Sequence, residues 1–325
     1  MTQPLLELRG LSTYYESARG TRVTRAVDEV SLTLERGKTL GIVGESGSGK
    51  STLALSIMRL LPPAARIVGG EVRFEGEDLL KKSPGEMRQI RGKRIAMILQ
   101  DPMASLNPLF TIGDQVSESL RVHEGASRAA AWKRARKLLE AVRISAPASR
   151  MNEIPHQMSG GMRQRIVGAI AVACEPRLLI ADEPTTSLDL TIQAQYLSLL
   201  RDLQRDHHLG MIFITHNLGI VAKMCDAVAV MYAGRVVEAG PIRDIFNKPA
   251  HPYTRALLDS VPRLTDDTQG RLPAIDGQPP DPSAPPAGCA FHPRCPQALE
   301  RCTLQAPPSI TVAASHTTRC WLHVS

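Results

Sequence analysis

Residues 44–51 read "GESGSGKS", and they fit the pattern G-x-x-x-x-G-K-[ST] at every fixed position. Before them lies "TLGIVG" (39–44), a continuous apolar run of the kind a buried strand carries. After them comes "KSTLALSIMRLL" (50–61), apolar with helical recurrence, which Pro62-Pro63 are expected to stop. The order strand, glycine-rich loop, helix has a chemical use. A triphosphate concentrates negative charge and needs donors at close range. Gly44, Gly47 and Gly49 let the backbone curl so that successive N–H groups along Glu45, Ser46 and Ser48 turn inward, and the helix start adds its positive dipole end. Lys50 is placed to reach the β- and γ-phosphates, the Ser51 hydroxyl to bind Mg²⁺, and Thr52 completes the set. A glycine-rich turn matching by chance would not carry these flanking elements.

A carboxylate that holds the metal is expected at the end of another buried strand. "RLLIADEP" (177–184) delivers Asp182 after four apolar residues, with Glu183 beside it. Two adjacent acids at a strand tip repel, and burial raises a carboxyl pKa. The pair makes sense where a cation and a water need it: Asp182 for Mg²⁺, Glu183 to polarise the attacking water. An exposed acidic loop is the competing reading, and the apolar run preceding the pair counts against it. "GMIFIT" (210–215) is a further buried-strand candidate, and "FITHN" (213–217) places His216 at its end. A lone histidine is more often structural, but this position suits contact with a γ-phosphate.

Around these motifs, "LLELRGL" (5–11) and the alternating "VDEVSLTLERG" (27–37) read as strands. Residues 115–143 read as mostly helical, "SRAAAWKRARKLLEAV" (127–142) being amphipathic, and 190–206 has helical periodicity. Strands alternating with helices predict an α/β fold with a mainly parallel sheet covered on both faces. At 325 residues the chain exceeds the roughly 250–300 at which one core stops growing. The texture changes near residue 246 and peaks in "GQPPDPSAPPAG" (277–288), so a main domain over 1–245 and a small module over 246–325 are expected.

The formal charge is +7, and the densest basic cluster is "KKSPGEMRQIRGKR" (81–94). It reads first as a solvated face, then as proximity to lipid headgroups, and last as a nucleic-acid contact. Aromatics make up only 4% of the chain, which argues against a stacking platform for single strands. The longest apolar stretch, "IVGAIAVAC" (166–174), is far short of the about 20 residues of a bilayer span. "MTQPLLELRG" at the start shows no export signal, so a cytosolic location is expected.

"HQMSGGMRQR" (156–165) narrows the class, because it resembles the LSGGQ signature of ATP-binding cassette (ABC) ATPases. Gln100 in "MILQDP" resembles that family's Q-loop, and "SLD" (187–189), with Asp189, its D-loop. Tyr15 in "STYYE" resembles the aromatic that stacks on adenine, with Tyr14 a neighbouring competitor. The resemblance implies a RecA-like core, an antiparallel β subdomain and an inserted helical subdomain over about 101–165. It also implies Mg²⁺ contacts from Gln100 besides Ser51 and Asp182. Ser159, Gly160, Gly161 and Met162 would touch the ATP bound by a second subunit. Met158 and Met162 stand where the family usually has Leu and Gln, both tolerant positions. Since Ser159 precedes "GGMRQRIVGAIAVA", the residues themselves predict a second helix N-terminus suited to an anion.

"QDPMASLNPLFTIGDQV" (100–116), "SGGMRQR" and "HPYTRALLDSVP" (251–262) resemble the oligopeptide/dipeptide permease branch, which also serves nickel and glutathione. That implies an ATP-hydrolysing importer subunit, peripheral on the cytoplasmic membrane face. Its partners would be a second, related but different ATPase, two transmembrane permease subunits and an extracytoplasmic solute-binding protein, with no nucleic acid. Two other classes compete: a soluble cassette ATPase acting on nucleic acid or ribosomes, and an iron–sulfur electron carrier that merely binds nucleotide. The chain has neither a second cassette nor a long coiled-coil insertion, and its catalytic set includes Glu183 and His216.

Cys289, Cys295, Cys302 and Cys320 are spaced C-x5-C-x6-C-x17-C, whereas Cys174 and Cys225 lie in apolar contexts typical of core residues. Clustered thiols in a reducing compartment more often ligate metal than form disulfides. The C-x2–4-C pairs usual for zinc are absent. Four irregularly spaced thiolates suit a [4Fe–4S] cube better, and the permease resemblance implies one. Zn²⁺, with His292 and His316 as possible further ligands, and free thiols remain the alternatives.

Overall fold

The computed structural model describes residues 3–17, 22–186, 188–261 and 274–324. Its strands are β1 (Leu6–Glu16), β2 (Val23–Leu34), β3 (Thr39–Val43), β4 (Ala65–Phe74), β5 (Glu77–Asp78), β6 (Ile95–Ile98), β7 (Leu178–Asp182), β8 (Gly210–Ile214), β9 (Ala227–Tyr232), β10 (Arg235–Pro241), β11 (Ile310–Ala313) and β12 (His316–Thr318). Its helices are α1 (Lys50–Met58), α2 (Pro84–Ile90), α3 (Pro102–Ser105), α4 (Ile112–Glu124), α5 (Arg128–Ala141), α6 (Pro147–Arg150), α7 (Gly160–Val172), α8 (Leu190–His207), α9 (Leu218–Met224), α10 (Ile242–Asn247), α11 (Pro252–Asp259) and α12 (Glu300–Leu304). This is the expected mixed α/β architecture. The chain forms two compact units, one drawn from residues up to 5, 34–38 and 81–214, the other from 6–33, 39–80 and 215 onward.

The first unit is built on β6, β7 and β8, which run parallel with Ile95 opposite Leu178 and Leu178 opposite Gly210. Every residue of β7 and β8 is buried, so both read as apolar runs, β7 ending in the buried Asp182. Helices α4, α5 and α7 pack on one another. Leu120, Ala131, Ala173 and Cys174 form a buried cluster there. Each helix start has a side-chain cap: Thr111 Oγ1 accepts the Asp114 N–H, Ser127 Oγ the Ala130 N–H, and Ser159 Oγ the Met162 N–H.

The second unit carries the strand order β11-β12-β10-β9-β3 and a separate antiparallel sheet β2-β1-β4-β5. Strand β3 runs parallel to β9, and β9 turns back into β10 through Ala233 (φ 46°) and Gly234 (φ 81°), both left-handed as a tight hairpin requires. Cys225 fills the space left by Gly41, whose missing Cβ would stand 2.9 Å from the Cys225 sulfur. Burial pushes the Cys225 thiol up to about 12, as expected of a core residue. Helix α1 ends at Met58, earlier than the run to residue 61 suggests. Arg59 turns left-handed (φ 50°) and returns its N–H to Leu55 O and Ser56 O, so a C-terminal cap closes the helix before Pro62-Pro63. Residues 316–318 are not set apart from the rest: β12 pairs with β10, Glu238 opposite Thr318.

Candidate active site

In the second unit, fully buried β3 ends at Val43 and the chain loops from Gly44 over to α1. Glycine is required at both ends of the loop. Gly44 has φ 153°, and a Cβ there would come 2.2 Å from Met231 O; Gly49 has φ 99°, and its Cβ would come 2.0 Å from Ala26 O. Helix α1 starts with no side-chain cap and no acidic residue in its first turn, which leaves its N–H groups to an anion. The Lys50 ammonium is buried and donates to Gly44 O at 2.8 Å and Glu45 O at 2.9 Å. Not every loop N–H turns inward, however: Glu45 N–H donates to Tyr253 Oη at 3.0 Å, and Ser48 N–H to Glu45 O at 3.2 Å. Ser46 and Gly47 sit on the exposed stretch of the loop, and Ser51 is exposed at the first turn of α1.

The two adjacent tyrosines separate by strand parity. Tyr14 Oη donates to Asp28 Oδ1 at 2.9 Å, and burial together with that bond holds the phenol above its usual pKa. Asp28 also takes two hydrogen bonds from Arg235, at 2.8 and 3.0 Å. Tyr15 points the other way, its hydroxyl 3.4 Å from Thr52 Oγ1 on α1. His216 is exposed shortly before α9, two residues after Ile214.

In the first unit, buried β7 delivers Asp182 at its tip, 5% exposed. Glu183 follows with φ 45°, a left-handed conformation that a non-glycine residue holds only at a cost of about 1–3 kcal/mol. Its N–H bonds Ile214 O at 3.0 Å, and its Oε2 accepts from Gln100 Nε2 at 3.2 Å and Thr186 Oγ1 at 2.9 Å. Gln100 and Glu183 are thus brought together. Thr186 was not singled out by the sequence, although its place three residues after the acid is the available signal.

At the start of α7, Ser159 is the N-cap, no acidic residue occupies the first turn, and nothing lies within 4 Å of where a Gly160 Cβ would stand. Gly161 faces inward, its Cβ position 2.6 Å from Ile192. Met162 N–H returns to Ser159 Oγ at 3.3 Å. Asp189 caps α8, its Oδ1 accepting from the Thr191 and Ile192 N–H groups at 3.1 and 3.0 Å. Ser187 of the "SLD" motif lies outside the described residues.

The four tail cysteines gather in the second unit. Cys302 and Cys320 are buried, Cys289 and Cys295 half-buried. Burial pushes the Cys289 thiol up to about 11 and raises Cys295 and Cys320 as well, each with a further contribution from neighbouring thiols of the set. Each sulfur meets a backbone amide: Leu299 N–H at 3.4 Å for Cys302, and the amides of Phe291, Gln297 and Leu322 for Cys289, Cys295 and Cys320. Among the described residues, no group of three or more His, Cys, Asp or Glu side chains is placed to hold a metal ion. His316 Nε2 is engaged by Glu238 at 2.7 Å and His292 Nδ1 by Cys289 O at 2.9 Å, which weakens the zinc alternative.

Comparison with known proteins agrees with this geometry. Residues 27–186 match the family "ABC transporter", and residues 237–302 match "Oligopeptide/dipeptide transporter, C-terminal region". The chain is 50% identical over 318 residues to the "Probable peptide ABC transporter ATP-binding protein y4tR" of Sinorhizobium fredii, covering 98% of this chain and 94% of that one. It is 49% identical to the "Dipeptide transport ATP-binding protein DppD" of Bacillus subtilis, covering 98% and 95%. It is 50% identical to the "Oligopeptide transport ATP-binding protein OppD" of the same organism, covering 98% and 88%. Among solved structures, the dimeric post-hydrolysis state of the ATP-binding cassette MJ0796, bound to ADP and Pi, aligns with a TM-score of 0.66 at 27% identity, over 73% of this chain and 99% of that one. Fold and site define an ATPase of the ATP-binding cassette class. Within that class, the chain belongs to the ABC transporter family and carries the C-terminal region of its oligopeptide/dipeptide branch.

Proposed function

We propose that this chain is the ATP-hydrolysing subunit of an importer for di- or oligopeptides, peripheral on the cytoplasmic face of the membrane. The observation that carries it is whole-length similarity to peptide-import ATP-binding proteins, together with a triphosphate cradle intact at every fixed position. No helix among the described residues is long and apolar enough to cross a membrane, so transport needs membrane-embedded partners. Two permease subunits, a second and related ATPase and an extracytoplasmic solute-binding protein fill that need. Leu109 and Phe110, 85% and 54% exposed in the segment between α3 and α4, give the helical subdomain an apolar contact for the permease. Residues 1–245 would serve as the cassette and 246–325 as its tail.

The site residues take the roles that their motifs imply. Lys50 meets the transferred phosphate, and the loop amides and the α1 N-terminus hold the remaining charge. Tyr15 stacks on adenine. Ser51, Gln100 and Asp182 would hold Mg²⁺, which supplies charge neutralisation on the phosphates. Glu183 orients and polarises the attacking water, and His216 contacts the γ-phosphate. Ser159, Gly160, Gly161 and Met162 close on the ATP of the partner cassette, whose approach Asp189 helps to register.

The four tail cysteines are the donors a [4Fe–4S] cluster would use, although among the described residues no three of them stand placed around one metal position. What supports the cluster over zinc is four cysteines in one segment, a backbone amide N–H near each sulfur, and His292 and His316 already engaged elsewhere. Such a group would supply folding free energy to a Pro-rich segment with a small core.

The deciding experiment replaces Glu183 by Gln. ATP binding should persist while hydrolysis falls by about 100-fold or more, and the protein should accumulate as a nucleotide-bound dimer. Undiminished turnover would remove Glu183 from its role.

A further inference from the structure

The second residue of the phosphate loop is gripped from the far end of the chain. Glu45 Oε2 and Oε1 accept from Arg294 Nη1 and Nη2 at 2.7 and 3.0 Å, a side-by-side pair. The Arg294 side chain is 4% exposed, and all five of its N–H donors find acceptors. Nη1 also reaches Tyr232 Oη at 3.3 Å, Nη2 reaches Ile275 O at 3.2 Å, and Nε reaches Asp276 O at 2.9 Å. Its guanidinium therefore cannot swing away without breaking several bonds. The Glu45 N–H is held as well, by the hydroxyl of fully buried Tyr253. Tyr253, Tyr232 and Phe291 stack as a cluster with ring centroids 4.6–5.3 Å apart.

The remaining polar group of Glu45 faces the chemistry. Its carbonyl oxygen accepts from the Lys50 ammonium at 2.9 Å. Side chain and N–H are thus fixed by the C-terminal segment while the carbonyl steers the lysine that meets the phosphates. We propose that Arg294 is a positioning residue of the nucleotide site, acting through Glu45 to hold the loop and Lys50 in the conformation that receives ATP. A loop clamped in its binding geometry loses less entropy when nucleotide arrives, so the clamp tightens binding rather than the chemical step.

This rests on ATP binding at residues 44–51, and the test keeps the two apart. The full-length chain is titrated with a trinitrophenyl derivative of ATP, and KM and kcat for ATP are measured in the assembled importer. Arg294→Met should weaken nucleotide binding and raise KM by about tenfold, the loss expected when a side chain or two must be ordered on binding, with kcat nearly unchanged. Arg294→Lys, which keeps charge but not the two-pronged fit, should fall between. Glu45→Gln should shift binding in the same direction, and the double variant should be no worse than Arg294→Met alone, since both act through one contact. If Arg294→Met fails to fold, Arg294→Lys and Glu45→Gln carry the test. Folded variants with lowered Tm but unchanged Kd and KM would overturn the proposal and leave Arg294 a structural anchor of the tail. Failure of the unaltered chain to bind the probe would instead sink the reading of the loop.

Discussion

Tyr14 and Tyr15 are neighbours in sequence with different hydrogen-bond partners, and that difference supports Tyr15 as the proposed adenine contact. Both lie on β1, where neighbours point to opposite faces. Tyr14 spends its hydroxyl on Asp28, itself 6% exposed and bound to Arg235, while Tyr15 faces Thr52. Tyr15→Ala should therefore weaken ATP binding by about tenfold or more, the loss expected for one stacked base, and leave thermal stability nearly unchanged. Tyr14→Phe should do the reverse. It removes a donor from a buried carboxylate and should cost about 1–2 kcal/mol of stability with nucleotide affinity intact. Paired Kd and thermal-melt measurements separate the two. An affinity loss confined to the Tyr14 variant would exchange the assignments. The resemblance favours Tyr15 in the sequence, but what occupies Tyr14 is not legible there, because it depends on Asp28 from the neighbouring strand β2.

At the scale of elements, the runs that need no distant partner were legible. β3, β7 and β8 are buried throughout and so carry apolar runs, broken only at Thr39 and at Asp182 on the tip of β7, and α5 begins after the serine that caps it. The end of α1 was misplaced because a left-handed Arg59, not the visible proline pair, closes the helix. β12, "HTT", has no strand pattern of its own. It is ordered by pairing with β10 and by His316 bonding Glu238, a residue 78 positions earlier. Helix α11 shows a further dependence on context. Its N-cap is His251, whose Nδ1 accepts the Tyr253 N–H at 3.0 Å, and burial pushes the imidazole down to about 3, with His323 contributing. The folded state thus holds the neutral ring below the 6.5 of a free imidazole. That stability is fully present above pH 6.5 and is lost progressively as pH falls toward the folded value. Between pH 6.5 and 5 the loss should be about 2 kcal/mol, at 1.36 kcal/mol per pH unit. His251→Asn keeps a capping oxygen and removes the titration. Urea midpoints at pH 7.5 and 5 should therefore fall further in the unaltered chain than in this variant. Equal falls would show that His251 is not the acid-sensitive group.

For the molecule as a whole, the tail raises the question of what orders a Pro-rich segment. Residues 274–324 contribute little buried apolar surface, chiefly Phe291. They are tied instead by polar contacts: Arg25 N–H to Pro282 O at 3.1 Å, Arg22 to Asp281 and Ser283, Arg294 to Glu45, and β12 to β10. Such contacts contribute only about 1 kcal/mol each net, and the proposed thiol ligation would add to them. Burial raises the Cys289, Cys295 and Cys320 thiols, so ligation there would have to displace their protons. On the proposed cluster, chain purified without oxygen should contain about four irons and four labile sulfides per molecule, the content of one cube. Removing the metal with a chelator should open the segment after residue 274 to protease while leaving β3, α1 and β7 protected. It should also weaken nucleotide binding, because the grip of Arg294 on Glu45 loosens with the turn between Cys289 and Cys295. Metal-free chain with an equally protected tail would show that strand pairing and ion pairs suffice. Stoichiometric zinc in place of iron would return the site to the single-ion reading, with His292 and His316 to be re-examined as ligands.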